Sequence, residues 1–143
     1  MILTVDANVF VSAALQAEPH HVSSQAFLNA ARDASVDFRC PTLLPVEVAA
    51  SVARVTGDNA LAMRTLRAVR LRPRLRLVAL TPTRATRAAE LATTRRLRGA
   101  DAVYFAVAVE SGATLITWDT ELLLRGPAAS PVLTPSDWLN SLP

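Results

Sequence analysis

Short apolar runs alternate along this chain with stretches whose apolar residues recur every three or four positions, the pattern of buried strands separated by amphipathic helices. Ile2 to Val5 is the first run. It stops at Asp6, and another apolar stretch opens after Asn8, which reads as a strand, an acid and a helix start. His21 to Ala34 sets Val22, Ala26, Phe27, Ala30 and Ala31 at helical spacing; Val36 to Cys40 then alternates, with Val36, Phe38 and Cys40 on one side of a second strand. Pro45 suits a first helical position, with Glu47 in the first turn and Gly57 as the stop, and Asp58 can cap a following helix that carries Leu61, Leu66 and Val69. The two helices are expected to form a hairpin over roughly 45–70. Leu75 to about Leu80 reads as a third strand, and Thr83 opens a long helix through Ala88, Leu91 and Ala92 to Leu97, stopped by Gly99.

The stretch from Gly99 to Glu121 organises the rest. Ala102 to Val109 is apolar or aromatic at every position, so a helix here is buried on nearly all sides and lies centrally. Ser111 and Gly112 supply a stop and turn, and Ala113 to Ile116 is a run fit for a strand covered on both faces. A short helix at Glu121 to Leu124, a last strand around Val132 and Leu133, and a turn or helix at Ser136 to Leu139 complete the order. Strands and helices in this alternation imply an α/β fold, a three-layer α/β/α sandwich around a mostly parallel sheet.

A length of 143 residues corresponds to one ordinary domain, 1–143, able to bury roughly two thirds of its unfolded surface. The first residues, MILTVDANVF, lack a basic start and are broken at Asp6, so they resemble neither a signal peptide nor a membrane span, and a cytoplasmic protein is expected. Cys40 is the sole cysteine, which excludes an internal disulfide and a thiolate metal cluster and leaves it as a small core residue at a strand end. All fifteen basic side chains are Arg, and the net charge is +3. The balance is compatible with a nucleic-acid partner.

Four acids stand out by position. Asp6 and Asp119 fall just past the ends of apolar strands, while Glu47 and Asp101 fall at the starts of helices. In a parallel sheet, strand ends and following helix starts share one edge, where ligands bind, so the four can meet in one cleft. Each alone can also be a capping residue or an anion opposing a helix dipole. Carboxylates brought to about 4 Å would repel by roughly 4 kcal/mol per pair at an effective dielectric of about 20, so a cluster without a cation is a poor structural device. An all-oxygen site of few ligands suits Mg²⁺ or Mn²⁺, which retain waters and accept phosphate oxygens. Such an ion can activate water for attack on a phosphodiester.

The segments VDANVF, LLPVEVAASVAR and LRGADAVYFAVAVESGATLITWDTELL resemble, in acids and in spacing, the PIN-domain nucleases, most closely the VapC-type toxins of bacterial toxin–antitoxin pairs. The resemblance spans essentially the whole chain. It implies metal-dependent RNA cleavage at Asp6, Glu47, Asp101 and Asp119, with Asp6 and Asp101 the main ligands of Mg²⁺ or Mn²⁺, Glu47 and Asp119 binding the ion or its waters, and Asn8 and Thr117 in support. Ala7 departs from the Thr or Ser common in that family. The toxin resemblance further implies a cognate antitoxin protein that covers the cleft or inserts a basic side chain, and the apolar hairpin is a candidate surface for that partner or for a homodimer.

Other features weigh less. Adjacent His20 and His21 are poorly spaced for a shared metal and read as a loop or helix start. The runs Arg64, Arg67, Arg70, Arg72, Arg74, Arg76 and Arg95, Arg96, Arg98 read either as a solvated face or as a track for RNA phosphates, and Trp118 either as core or as a base-stacking ring. Aspartyl-phosphate phosphatases and receiver domains rely on a lysine, which this chain lacks. A binding module that kept the fold without catalysis, and a housekeeping RNA-processing nuclease, are the remaining alternatives.

Overall fold

The computed structural model describes residues 1–126 and 130–143. Five strands, β1 (Ile2–Val5), β2 (Asp37–Pro41), β3 (Leu75–Val78), β4 (Thr114–Ile116) and β5 (Val132–Leu133), form one sheet in the order β3-β2-β1-β4-β5. Every pairing is parallel. The central strand β1 is fully buried at Leu3, Thr4 and Val5, as a strand covered on both faces must be.

The connections divide the helices between two faces. From β1 the chain passes through α1 (Ala7–Ala14) and α2 (His21–Asp33) to β2, then through α3 (Leu43–Thr56) and α4 (Asn59–Arg70) to β3, always toward one edge. It then returns through α5 (Pro82–Arg95) and α6 (Gly99–Ser111) to β4 on the other side of β1, and continues through α7 (Thr120–Arg125) to β5 and α8 (Pro135–Asn140). Right-handed crossovers put the outward and returning helices on opposite faces, giving the expected three layers. The strand order reverses between β1 and β4, and this switch point is where a crevice opens at the carboxyl ends of the strands.

Helix α6 is the central element: Ala102 to Ala108 are all buried, and the helix packs on β1, β2 and β4 while α5 covers its outer side. Gly112, with φ 59°, ends it in the left-handed region as the sequence indicates. α3 and α4 pack against each other as the hairpin.

Several boundaries differ from the sequence reading. α3 begins at Leu43, so Pro45 is its third residue and Glu47 lies beyond the first turn, away from the positive end of the helix. The first helical N–H groups need no partner within the helix, which lets proline sit there as well as at the first position. α5 begins at Pro82 behind a Thr81 cap and ends at Arg95; the stop is Arg96, held at φ 54°, and Gly99 is instead the first residue of α6. β3 ends at Val78, because Pro82 and its cap take over the chain soon after. β2 is displaced one residue, to Asp37–Pro41, with Phe38 and Cys40 facing the core as expected. No helix among the described residues is long and apolar enough to cross a membrane.

Candidate functional site

The register of β1 against β4 sets Val5 beside Ile116, so the next residues, Asp6 and Thr117, leave the sheet side by side at its switch point. The Asp6 backbone N–H donates to the Ile116 carbonyl at 2.9 Å, which anchors the turn. Asp6 is 8% exposed, and its Oδ2 accepts from the Thr117 hydroxyl at 2.7 Å and from Asn8 Nδ2 at 2.9 Å. The same Thr117 oxygen accepts from Asn8 Nδ2 at 3.1 Å and from the Asp119 N–H at 2.9 Å. Asn8 Oδ1 in turn accepts from the Trp118 N–H at 3.2 Å. A closed network therefore fixes the carboxylate of Asp6 and links the loop after β1 to the loop after β4.

Asp119 caps α7, its Oδ1 accepting from the N–H groups of Glu121 at 2.7 Å and Leu122 at 3.1 Å. Asp6 likewise caps α1. For these two residues the capping role and a place in the cleft coexist. Asp101 sits in the first turn of α6 but makes no capping hydrogen bond; its buried Oδ2 has no partner, and neither does Oε2 of Glu47 on α3. Asp6, Glu47, Asp101 and Asp119 all line one open cleft of about 300 Å³, with Asn8, Ser12, Glu18 and Ser51 among its other walls.

Electrostatics register this convergence. Asp6 is pushed up to about 6, chiefly by burial, with the Thr117 hydrogen bond opposing and the Glu47 and Asp119 carboxylates adding to the rise. Asp101 is also raised to about 6, by burial and then by Asp6 and Asp119, against the Arg98 guanidinium. Burial raises Glu47, helped by Asp101 and countered by the Tyr104 phenol. Tyr104 is marked by the apolar run only as part of the buried helix. One turn after Asp101 it brings a buried hydroxyl beside Glu47, near enough to favour the anion but without the geometry of a hydrogen bond, and both polar atoms remain unpartnered. A single polar aromatic within an otherwise apolar helix was the available signal.

A divalent cation fits this donor set in part. The donors are hard carboxylate oxygens, two of them buried and unpartnered, in a cleft whose acids repel one another. Among the described residues no three acids close on a single point as direct ligands, so the match is to a hydrated ion such as Mg²⁺ or Mn²⁺ held by one or two carboxylates.

The remaining residues fall elsewhere. Trp118 packs partly buried against the core, its indole N–H donating to Ser24 Oγ at 2.9 Å and its ring stacked on exposed His20 at 3.9 Å. His21 starts α2, with Nδ1 at 3.0 Å from the Ser12 carbonyl. Arg72 leaves the basic run: half-buried, it donates to the Leu28 carbonyl and lies over the Phe38 ring at 4.8 Å. Arg64, Arg67, Arg70 and Arg76 are exposed. On the hairpin Leu61 leans on the core, whereas Val46, Val55 and Met63 are the large exposed apolar residues. Cys40 is fully buried between Val5 N and O, its thiol pushed up to about 12 by burial, which makes it an inert core residue.

A family model described as PIN domain matches residues 3–125. No curated protein is significantly similar in sequence. Among solved structures, the Mycobacterium tuberculosis toxin VapC20, described as cleaving the sarcin-ricin loop, superposes with a TM-score of 0.75 at 18% identity, covering 92% of this chain and 99% of that one. VapBC2 from Rickettsia felis, bound to a DNA fragment from its promoter, gives 0.72 at 16% identity, with 94% and 98% covered. FitAcB from Neisseria gonorrhoeae gives 0.68 at 19% identity, with 95% and 99% covered. At these identities the likeness is one of fold.

Proposed function

Since the chain belongs to the PIN-domain family, we propose that it is a metal-dependent endoribonuclease that hydrolyses RNA phosphodiester bonds in its acidic cleft, as the toxin of a cytoplasmic toxin–antitoxin pair. The observation that carries this reading is the meeting of Asp6, Glu47, Asp101 and Asp119 at the switch point of the sheet, with carboxylate oxygens of Glu47 and Asp101 buried and unpartnered. A fold has no use for that arrangement by itself, because each uncompensated buried charge costs stability.

Asp6 and Asp101 would hold the cation, with Glu47 and Asp119 binding it or its waters. Mg²⁺ or Mn²⁺ there would offset the repulsion among the acids, activate water and stabilise the leaving oxygen. Thr117 and Asn8 keep Asp6 in one rotamer, so the ligand is in place before substrate arrives. Glu47 lines the cleft with a carboxylate whose proton affinity is raised by burial, which suits it to take a proton from a water there. The antitoxin partner is supported by the toxin–antitoxin complexes among the structural neighbours. The exposed Val46, Val55 and Met63 of the hairpin offer it, or a second copy in a homodimer, an apolar surface.

The test is cleavage of a mixed RNA pool by purified, partner-free protein with Mg²⁺ or Mn²⁺ against EDTA, alongside Asp6→Ala and Asp101→Ala. Metal-dependent cutting lost in both variants is the expected result. Folded wild-type protein that cuts nothing with either metal overturns the nuclease reading in favour of a binding module.

A further inference from the structure

We propose that Arg98 is a substrate clamp, its guanidinium leaving Asp119 and Glu121 to grip an RNA phosphate next to the one being cleaved. The inference rests on the nuclease reading and adds a residue to it.

Arg98 occupies the N-cap of α6, where it makes no side-chain capping bond. Ser, Thr, Asp and Asn are preferred at such a position, and a cation there faces the positive end of the helix dipole. Local stability therefore gives no reason for arginine. Its ion pairs give little more: Nη1 is 4.0 Å from Asp119 Oδ2 and Nη2 is 3.9 Å from Glu121 Oε2, both beyond hydrogen-bond length, with the side chain 69% exposed. Exposed pairs of this length contribute almost nothing to folding.

Its position matters more to a ligand. Among the described residues Arg98 is the cation paired with an acid of the cleft, Asp119. Four carboxylates line the cleft, and a single divalent ion there would leave it negative, so an incoming RNA backbone meets repulsion unless a rim group offsets it. A guanidinium supplies two parallel N–H donors matched to phosphate oxygens. Departure from Glu121 leaves that acid paired, because Arg125 Nη1 remains 3.7 Å from Glu121 Oε2 and is tethered by donating to the Arg96 carbonyl at 2.7 Å, and the contact given up at Asp119 is a long, exposed one. The short α6 start fixes where the clamp stands: Asp101 lies in the first turn of the same helix, so the phosphate grip and the acid site move as one piece.

The experiment measures kcat and KM on a fluorophore-quencher pool of short mixed-sequence single-stranded RNA with Mg²⁺, across a KCl series, for the wild type, Arg98→Gln and Arg98→Lys, with melting temperatures alongside. Arg98→Gln is expected to raise KM roughly tenfold at low salt with little change in kcat, and to reduce the slope of log(kcat/KM) against log[KCl] by about 0.7, one single-strand phosphate contact. Arg98→Lys should restore the slope but only part of the affinity, because an ammonium cannot reproduce the two-pronged contact. Melting temperature should not change. A wild type that cuts, with slope and KM unmoved in Arg98→Gln, overturns the clamp and leaves the nuclease standing. A wild type that cuts nothing overturns both. Weaker activity accompanied by a melting temperature several degrees lower overturns the clamp in favour of a structural role at the start of α6.

Discussion

Asp101→Asn should make the metal-free protein more stable while abolishing metal-dependent cleavage. The Asp101 carboxyl is raised from 3.8 to about 6, by burial first and then by Asp6 and Asp119. A carboxyl raised on folding favours the folded state only while it stays protonated; the unfolded chain releases the proton first, so this stability is present below about pH 4 and is lost as pH rises to about 6. At about 1.36 kcal/mol per pH unit, the full shift corresponds to roughly 3 kcal/mol of destabilisation at neutral pH. Asp101 is only partly buried, and solvent screening reduces that by about half. Its place in the first turn of α6 returns a further ~0.3–1 kcal/mol through the helix dipole. The variant should therefore gain about 1 kcal/mol, or about 3 °C in melting temperature for a chain of this size.

Urea denaturation in EDTA at about pH 7.5 measures this, and the gain should shrink on acidification to about pH 4, where the wild-type carboxyl is protonated. Adding Mg²⁺ at about ten times its dissociation constant should stabilise the wild type by roughly 1.4 kcal/mol and the variant by much less, reversing their order. A loss of about 1 kcal/mol or more in metal-free Asp101→Asn at neutral pH would mean that the carboxylate serves the helix start instead.

Thr117→Val removes the hydroxyl that donates to Asp6 and accepts from Asn8 and Asp119; it should cost about 1–3 kcal/mol in urea denaturation and lower kcat roughly 10- to 100-fold, with Thr117→Ser close to wild type. Protons compete with the cation for Asp6 and Asp101, both raised to about 6, so cleavage should rise through about pH 6 at low Mg²⁺, with a midpoint that moves to lower pH as Mg²⁺ is increased. A pH–rate midpoint indifferent to metal concentration would separate those groups from metal binding. Tyr104→Phe deletes a buried, unpartnered hydroxyl and should change metal-free stability by less than about 1 kcal/mol; a larger loss by thermal melting would show that the phenol is bonded to Glu47.

The sheet and the acid positions were legible because both are local signals. Ile2–Val5 and Thr114–Ile116 are apolar runs closed by polar residues, and parallel pairing then puts Asp6 and Thr117 at one edge. The fully apolar Ala102–Ala108 could only be a central helix. The local signals failed where two residues could serve one purpose. Pro45 and Leu43 can each begin α3, and the difference moves Glu47 out of the first turn and excludes the dipole explanation for it. Gly99 is the residue expected to end α5, yet Arg96 takes the left-handed position, closed by the Leu97 N–H donating to the Ala92 carbonyl at 3.1 Å. Tyr104 against Glu47 was beyond sequence reasoning, because that neighbourhood exists only once α3 and α6 are packed. The same holds for Arg72, whose place over Phe38 depends on β2 and removes it from the basic face it alternates with.

The four acids differ in what their replacement would report. Asp119 holds two N–H groups of α7, and Asp6 holds Thr117 and Asn8 while capping α1. Truncating either one removes a cap and leaves buried donors unpaired, so lost activity in Asp6→Ala or Asp119→Ala is compounded by lost structure, on the order of 1 kcal/mol per cap. Glu47 and Asp101 have buried oxygens that satisfy nothing in the chain. For these two the fold carries an electrostatic cost and receives no hydrogen bond in return, as expected of groups kept for a ligand that relieves the cost on binding. An inactive Asp101→Asn protein that melts higher than the wild type without metal would therefore separate chemistry from folding, a separation that neither Asp6 nor Asp119 allows.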